Sequence, residues 1–119
     1  MFSYAKKYGE EVKRVYGNNC WYCGEYLTSD IFSVDHFEPR KYGGSSDIKN
    51  LRPCCRLCNT TKSNVDIETF RLRIKIRKAE LPKFINTTIL KYFENEHGFS
   101  IDLPEHIFYF ETGTVSRIG

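Results

Sequence analysis

The 119-residue sequence lacks several features that mark other classes of protein. No apolar run approaches the ~18 residues that a membrane-spanning helix needs, so we expect no membrane segment. No apolar stretch follows Lys6 and Lys7 near the N-terminus, so we expect no secretory signal and a cytoplasmic location. The sequence also has no internal repeats and no low-complexity linker. We therefore expect one domain over residues 1–119.

The five cysteines are the most informative residues that are present. Thiols stay reduced in the cytoplasm, so we interpret them as metal ligands plus one spare rather than as disulfides. A two-residue gap lets both sulfurs of a tight turn face one ion, and two such turns complete a closed tetrahedral site. We therefore predict a structural zinc bound by four residues, Cys20, Cys23, Cys55 and Cys58.

The fifth cysteine and the remaining histidines do not extend this zinc site. Pairing Cys54 with Cys58 would change the spacing to CxxxC, so Cys54 is expected to be a small buried residue. His97 and His106 have no ligand spacing and are expected to lie at a helix end and at the surface. Without a second ligand set, a cross-brace zinc module for protein interaction is excluded.

The net charge is only +3, but it is unevenly distributed. Residues 1–83 carry 16 Lys and Arg against 10 Asp and Glu, whereas residues 84–119 carry 2 against 5. This asymmetry favours nucleic-acid contacts in the first two-thirds of the chain.

The hydrophobic pattern predicts helices on both sides of a small strand pair. In chain order we predict a helix over residues 4–16, strands over 31–37 and near Leu51, a short helix over 55–63, helices over 66–81 and 85–97, and a strand over 106–111. Residues 70–77 alternate apolar and basic side chains, as a strand would. We choose a helix there because Asp66 is well placed as its N-cap and because the segment is long.

A second set of polar residues lies between the cysteine pairs. It runs Asp35-His36-Phe37-Glu38-Pro39-Arg40-Lys41-Tyr42-Gly43-Gly44, then Asn50-Leu51, then Cys55-Arg56-Leu57-Cys58-Asn59-Thr60-Thr61-Lys62. Over roughly residues 18–80 this pattern resembles the HNH endonucleases, the zinc-bound branch of the ββα-metal (His-Me finger) nucleases. The resemblance implies an α+β fold with a ββα-metal core, two zinc turns and flanking helices, and it leaves residues 83–119 as an extension.

The resemblance also implies a catalytic role for four residues. His36 would take a proton from the attacking water at neutral pH. Asp35 and Asn59 would hold a Mg²⁺ or Mn²⁺ ion that stabilises the negative charge of the transition state. Asn50 would hydrogen-bond the loop backbone so that His36 stays oriented. Since neighbouring strand residues point to opposite faces, Asp35 and His36 share a site only if the strand ends or kinks there.

These features lead to one main hypothesis and one alternative. The main hypothesis is a metal-dependent HNH endonuclease or nickase that acts on DNA, with double-stranded DNA expected. A homodimer is one way in which single-site enzymes would cut both strands. The alternative is a zinc-stabilised nucleic-acid-binding module that does not cut. Seven basic residues are candidate nucleic-acid contacts: Arg40, Lys41, Lys62, Arg71, Arg73, Lys75 and Arg77.

Overall fold

Two short antiparallel strands form a sheet near the middle of the chain. The computed structural model describes residues 4–118, with side chains described from residue 6 onward. Strand β1 is Phe32–His36 and strand β2 is Leu51–Cys55. The end of β1 pairs with the start of β2, so the connecting loop leaves and re-enters the sheet at the same end.

Helices account for most of the other regular structure. They are α1 (Tyr4–Tyr16), α2 (Arg56–Lys62), α3 (Ile67–Lys78), α4 (Thr87–His97) and α5 (Tyr109–Thr112), with short 3₁₀ helices at Arg40–Tyr42 and Ile48–Asn50. The predicted mixed α+β class is therefore confirmed. Within the described residues, no helix has the length and apolarity needed to cross a membrane.

The ambiguous basic segment is a helix, as the cap predicted. The Asp66 carboxylate accepts a hydrogen bond of 2.7 Å from the backbone N–H of Thr69, and this bond caps α3. Phe70 and Ile74 are completely buried on its inner face. Because residues two positions apart in a helix lie about 200° apart, the alternating basic residues occupy two faces of α3 rather than one stripe.

The predicted late strand is wrong. The backbone N–H groups of Tyr109 and Phe110 donate to the carbonyls of Tyr22 and Trp21 at 2.8 and 3.0 Å. These two residues begin α5, and their N–H groups bind the segment to the first cysteine turn instead of pairing with a strand.

The buried core includes four aromatic side chains: Tyr22, Phe32, Phe70 and Phe108. The Tyr22 ring is fully buried and meets Phe70 and Phe108 edge to face, with ring centroids 5.3 and 5.7 Å apart. Helix α1 adds Val12 to this core, whereas Val15, three positions later in the same helix, is 51% exposed.

Candidate active site and zinc centre

The four predicted cysteine ligands meet at one point. Their sulfur atoms all lie within 4.8 Å of one another, and the Cys23 and Cys55 sulfurs are 3.8 Å apart. A tetrahedron with zinc–sulfur bonds of about 2.3 Å has edges of about 3.8 Å, so the cluster is close to the size that a zinc site requires. The four cysteines are therefore placed to bind zinc.

Backbone hydrogen bonds shape the two cysteine turns. The first turn closes through a bond from Gly24 N to Cys20 O, 2.9 Å long, with Gly24 at a φ of 84° that favours glycine. In the second turn, Cys58 N donates to the Cys55 sulfur at 3.4 Å. That bond stabilises the thiolate form that zinc requires.

Cys54 lies next to this cluster without joining it. Its buried thiol donates to the Cys55 carbonyl at 3.2 Å, and burial raises its pKa well above the ordinary value. Cys54 therefore stays protonated, which fits the expectation of a small buried residue.

Three of the four expected catalytic residues line one cleft at the end of β1, and Asn50 lies outside its lining. The cleft measures about 340 Å³, and its lining includes Asp35, His36 and Asn59 together with Arg40 and Lys41. Strand β1 ends at His36, and both Asp35 and His36 line the cleft although they are neighbours in the strand. The structure thus brings carboxylate, imidazole, amide and two cations together.

The electrostatic environment of His36 keeps its imidazole neutral. Burial, followed by the positive charges of Arg40 and Lys62, lowers the pKa of the half-buried His36 below its ordinary value. Its Nε2 lies 3.1 Å from the Ser46 hydroxyl. A neutral imidazole at neutral pH retains a lone pair that can accept a proton.

Asn50 joins both ends of the loop that follows His36. Its side-chain oxygen accepts from Glu38 N at 2.8 Å, and its amide group donates to the Glu38 and Ser45 carbonyls at 3.0 and 2.8 Å. The backbone carbonyl of Asn50 also accepts from Phe37 N at 2.8 Å. These contacts are of the kind expected for Asn50, whose effect on catalysis stays a prediction.

Asp35 is held by two partners that the sequence analysis missed. The Tyr22 hydroxyl donates to Asp35 Oδ2, and the Lys62 ammonium lies 3.1 Å from the same oxygen. Lys62 also donates to the His36 carbonyl at 2.9 Å. Burial raises the pKa of Asp35, while the Lys62 charge and the Tyr22 hydrogen bond oppose that rise. Tyr22 lies between the first two zinc ligands, so the zinc turn and Asp35 are directly connected.

The orientation of the Asn59 amide is fixed by Ser33, which the sequence analysis also missed. The Ser33 hydroxyl donates its proton to the Cys54 carbonyl at 2.8 Å, so it can only accept from Asn59. Asn59 Nδ2 fills that position at 3.1 Å. The amide oxygen of Asn59 is consequently directed away from Ser33 and remains available as a ligand.

The donor set in the cleft fits a small hard cation. The Lys62 ammonium lies 3.5 Å from Asp35 Oδ1, which is a long hydrogen bond, so this carboxylate oxygen is weakly bonded. Together with the Asn59 amide oxygen it offers two oxygen donors, the kind that Mg²⁺ or Mn²⁺ prefers, with water completing the coordination.

Three of the expected nucleic-acid contacts have other partners. Lys62 is completely buried, so its ammonium is an internal counterion for Asp35 rather than a phosphate contact. Arg71 pairs with Glu111 at 2.7 Å and also bonds Glu68. Arg73 donates to the backbone carbonyls of residues 61 and 62 at 3.0 and 3.4 Å.

The remaining four expected contacts differ in exposure. Arg40 and Lys41 are exposed at the cleft. Arg77 is exposed on α3, and Lys75 is half-buried on the same helix. The exposed basic residues at the cleft therefore lie in the loop that carries Arg40 and Lys41, and not on α3.

His106, expected at the surface, is in fact buried. Only 3% of it is exposed, and its Nδ1 lies 2.8 Å from the Lys78 ammonium. Burial and the nearby Lys78 and Arg71 charges lower the pKa of His106 to about 4.

The order of the strands, the helix and the zinc turns defines the fold class of this site. A two-stranded sheet carries His36 at the end of its first strand and is followed at once by the helix that carries Asn59, with zinc turns on both sides. This is an α+β, ββα-metal core.

Part of the chain matches the model of a known protein family. Residues 20–65 match the model of the HNH endonuclease family, which confirms the resemblance found in the sequence and supports a nuclease-type function. No curated protein matches the chain significantly.

A solved structure with the same fold comes from a much longer protein. The crystal structure of the Type II-C Cas9 enzyme from Actinomyces naeslundii superposes with a TM-score of 0.50 and 24% sequence identity. The match covers 69% of this chain and 8% of that one. It therefore supports the fold of the segment and not the activity of the whole enzyme.

Proposed function

We propose that this protein is a metal-dependent HNH endonuclease or nickase that hydrolyses phosphodiester bonds in DNA. The observation that carries the proposal is the shared cleft of Asp35, His36 and Asn59 within the segment that matches the HNH family. A purely structural role would not require these three residues to line one opening.

His36 is the proposed general base. Burial and the charge of Arg40 lower the pKa of His36, so the imidazole is unprotonated at neutral pH. An unprotonated imidazole can accept a proton from water. General bases of this kind typically contribute ~10²–10⁴-fold to the rate. Asn50 acts through the loop backbone, and Ser46 through Nε2, to keep the ring in position.

Asp35 and Asn59 are the proposed ligands of the catalytic cation. A Mg²⁺ or Mn²⁺ ion bound there would supply Lewis-acid stabilisation of the negative charge that develops on the phosphate. Tyr22 and Lys62 orient the carboxylate of Asp35, and Ser33 orients the amide of Asn59.

Arg40 and Lys41 are the proposed phosphate contacts, because they are exposed where the cleft opens. Phosphate contacts of this kind hold a nucleic acid without reading its sequence. Double-stranded DNA is the proposed substrate. Since one chain carries one such cleft within its described residues, cutting both strands would require a homodimer or two binding events.

One observation favours the alternative of a binding module that does not cut. Lys62 already neutralises Asp35, and a resident cation of this kind competes with a metal ion for the carboxylate. The two functions differ in whether added divalent ions produce cleaved DNA.

Supercoiled plasmid is the substrate that separates the two functions. The zinc-loaded protein is incubated with plasmid alone and with Mg²⁺, Mn²⁺ or Ca²⁺, and nicked and linear forms are quantified. We expect cleavage with Mg²⁺ or Mn²⁺ and a loss of about 10²-fold or more in His36→Ala, because water then has no base.

His97→Ala is the matched control, since His97 is an exposed histidine on α4. It should cut like the natural protein. Equal cleavage by His36→Ala would remove His36 from the mechanism. DNA binding without cleavage under every metal would favour the binding module.

A further inference from the structure

Residues 38–45 form a rigid loop beside the cleft, which we call the loop platform. The backbone N–H groups of Tyr42 and Gly44 both donate to Pro39 O at 3.0 Å. A Cβ atom on Gly44 would lie 1.8 Å from a carbonyl oxygen of the same loop, so the chain packs tightly on itself. Asn50 adds three side-chain hydrogen bonds from outside. The platform therefore holds one shape before any ligand arrives.

The platform presents an aromatic ring next to two cations. Arg40 and Lys41 line the cleft that contains His36, and Tyr42 follows directly. Tyr42 is 56% exposed. The Lys41 ammonium lies 5.1 Å from the centroid of the Tyr42 ring. A large exposed ring on a fixed backbone can bind a flat partner without first ordering the chain.

A nucleobase is the flat partner that this arrangement suits. Cations beside the ring attract the phosphate backbone, and aromatic side chains next to basic grooves bind the faces of unpaired bases. Every base has such a face, so the contact tolerates any sequence.

We propose that Tyr42 stacks on an unpaired base next to the bond that is cut, so that the preferred substrate is double-stranded DNA with an unpaired nucleotide at that point. This inference rests on the proposed nuclease function and specifies its substrate. In a perfect duplex the bases already stack on each other, and extracting one requires energy that an unpaired nucleotide does not require.

Binding to two matched DNAs tests the proposal. One is a perfect duplex, and the other has the same sequence with a single bulged 2-aminopurine, whose fluorescence falls on stacking. Affinities are measured by anisotropy without added Mg²⁺ or Mn²⁺. The natural protein should bind the bulged DNA on the order of tenfold more tightly and quench its fluorescence.

Variants assign this preference to the ring. Tyr42→Phe should keep both the preference and the quenching, and Tyr42→Ala should lose both. Tyr26→Ala removes a tyrosine that is 65% exposed outside the platform, and it should behave like the natural protein. Equal binding of both DNAs by the natural protein, or an unchanged preference in Tyr42→Ala, would overturn the inference.

Cleavage of the same two DNAs with Mg²⁺ separates this inference from the proposed function. If the natural protein cuts both DNAs equally and Tyr42→Ala does the same, the stacking role is rejected and the nuclease function stands. If binding depends on Tyr42 but neither DNA is cut, the nuclease function is rejected and the stacking role stands.

Discussion

The ammonium of Lys62 lies 3.1 Å from the carboxylate of Asp35, and both side chains are buried. Removing one member of a buried ion pair leaves the other charge uncompensated, which typically costs 3–5 kcal/mol. Here the carboxylate is also a proposed metal ligand. The pair therefore affects both folding and the cation that the cleft binds.

Lys62→Met should lower the free energy of unfolding by roughly 3 kcal/mol, since it leaves Asp35 buried without a counterion. The measurement is urea denaturation of the zinc-loaded protein. Added Mg²⁺ should stabilise Lys62→Met more than the natural protein, because the ion no longer competes with the ammonium. The double variant Lys62→Met with Asp35→Asn should recover much of the loss.

Lys83→Met is the control for the loss of a lysine, because Lys83 is exposed. It should change stability by no more than about 0.5 kcal/mol. A Lys62→Met variant as stable as the Lys83→Met control would show that the Lys62–Asp35 pair contributes nothing to folding.

Adjacent cysteines provide a test of the zinc ligands. Cys55→Ala should lose bound zinc and unfold, because structural zinc supplies on the order of 10–16 kcal/mol. Cys54→Ala should keep one zinc per chain, since the Cys54 thiol is outside the sulfur cluster. Metal content by mass spectrometry and circular dichroism report the two outcomes. Zinc loss in both variants, or in neither, would contradict the ligand assignment.

Ser33→Ala tests the orientation of the Asn59 amide. Without the hydroxyl, the amide loses its 3.1 Å partner and can rotate. Residues that orient metal ligands typically change metal affinity 10–100-fold, so Mn²⁺ binding measured by calorimetry should weaken by about that factor.

Ser29→Ala, at an exposed serine, is the control and should leave Mn²⁺ affinity unchanged. If Ser33→Ala binds Mn²⁺ as the natural protein does, then either Asn59 is not a ligand or its orientation has another cause.

The lowered pKa of His106 predicts how the stability of the protein depends on pH. Its folded pKa is about 4, below the ordinary value of about 6.5, so the unfolded chain binds the proton more readily. The contribution of neutral His106 to the free energy of unfolding is fully present above pH 6.5 and is lost as the pH falls toward 4. Between pH 7.5 and 5.5 the loss should be on the order of 1 kcal/mol.

His106→Gln should remove this part of the pH dependence, because glutamine does not titrate. Denaturation of both proteins at the two pH values, with excess zinc, gives the difference. Parallel loss of stability in both proteins would show that other groups account for it.

Local patterns in the sequence were enough to predict the zinc ligands and most of the helices. Two-residue gaps defined the cysteine turns, and the Asp66 cap together with the length of the segment decided between helix and strand for α3. Local patterns failed where a segment takes its hydrogen bonds from distant residues. The segment near Phe108 has strand composition, but its backbone docks on the first zinc turn.

The candidate site likewise has a part that the sequence predicted and a part that it did not. The spacing of Asp35, His36 and Asn59 pointed to a shared cleft, and the structure places all three in one. Nothing local indicated that Lys62 would turn inward toward Asp35, which lies 27 positions away in the sequence. Lys62 was therefore expected to contact phosphate.

The sequence by itself determined which side chains are available as ligands, because turn geometry and residue chemistry act over a few positions. The tertiary structure decided how those side chains are held. Tyr22 reaches Asp35 across 13 positions, Ser33 reaches Asn59 across 26, and Arg71 reaches Glu111 across 40. Contacts of this kind depend on the packing of the aromatic core, which brings distant segments within hydrogen-bonding distance.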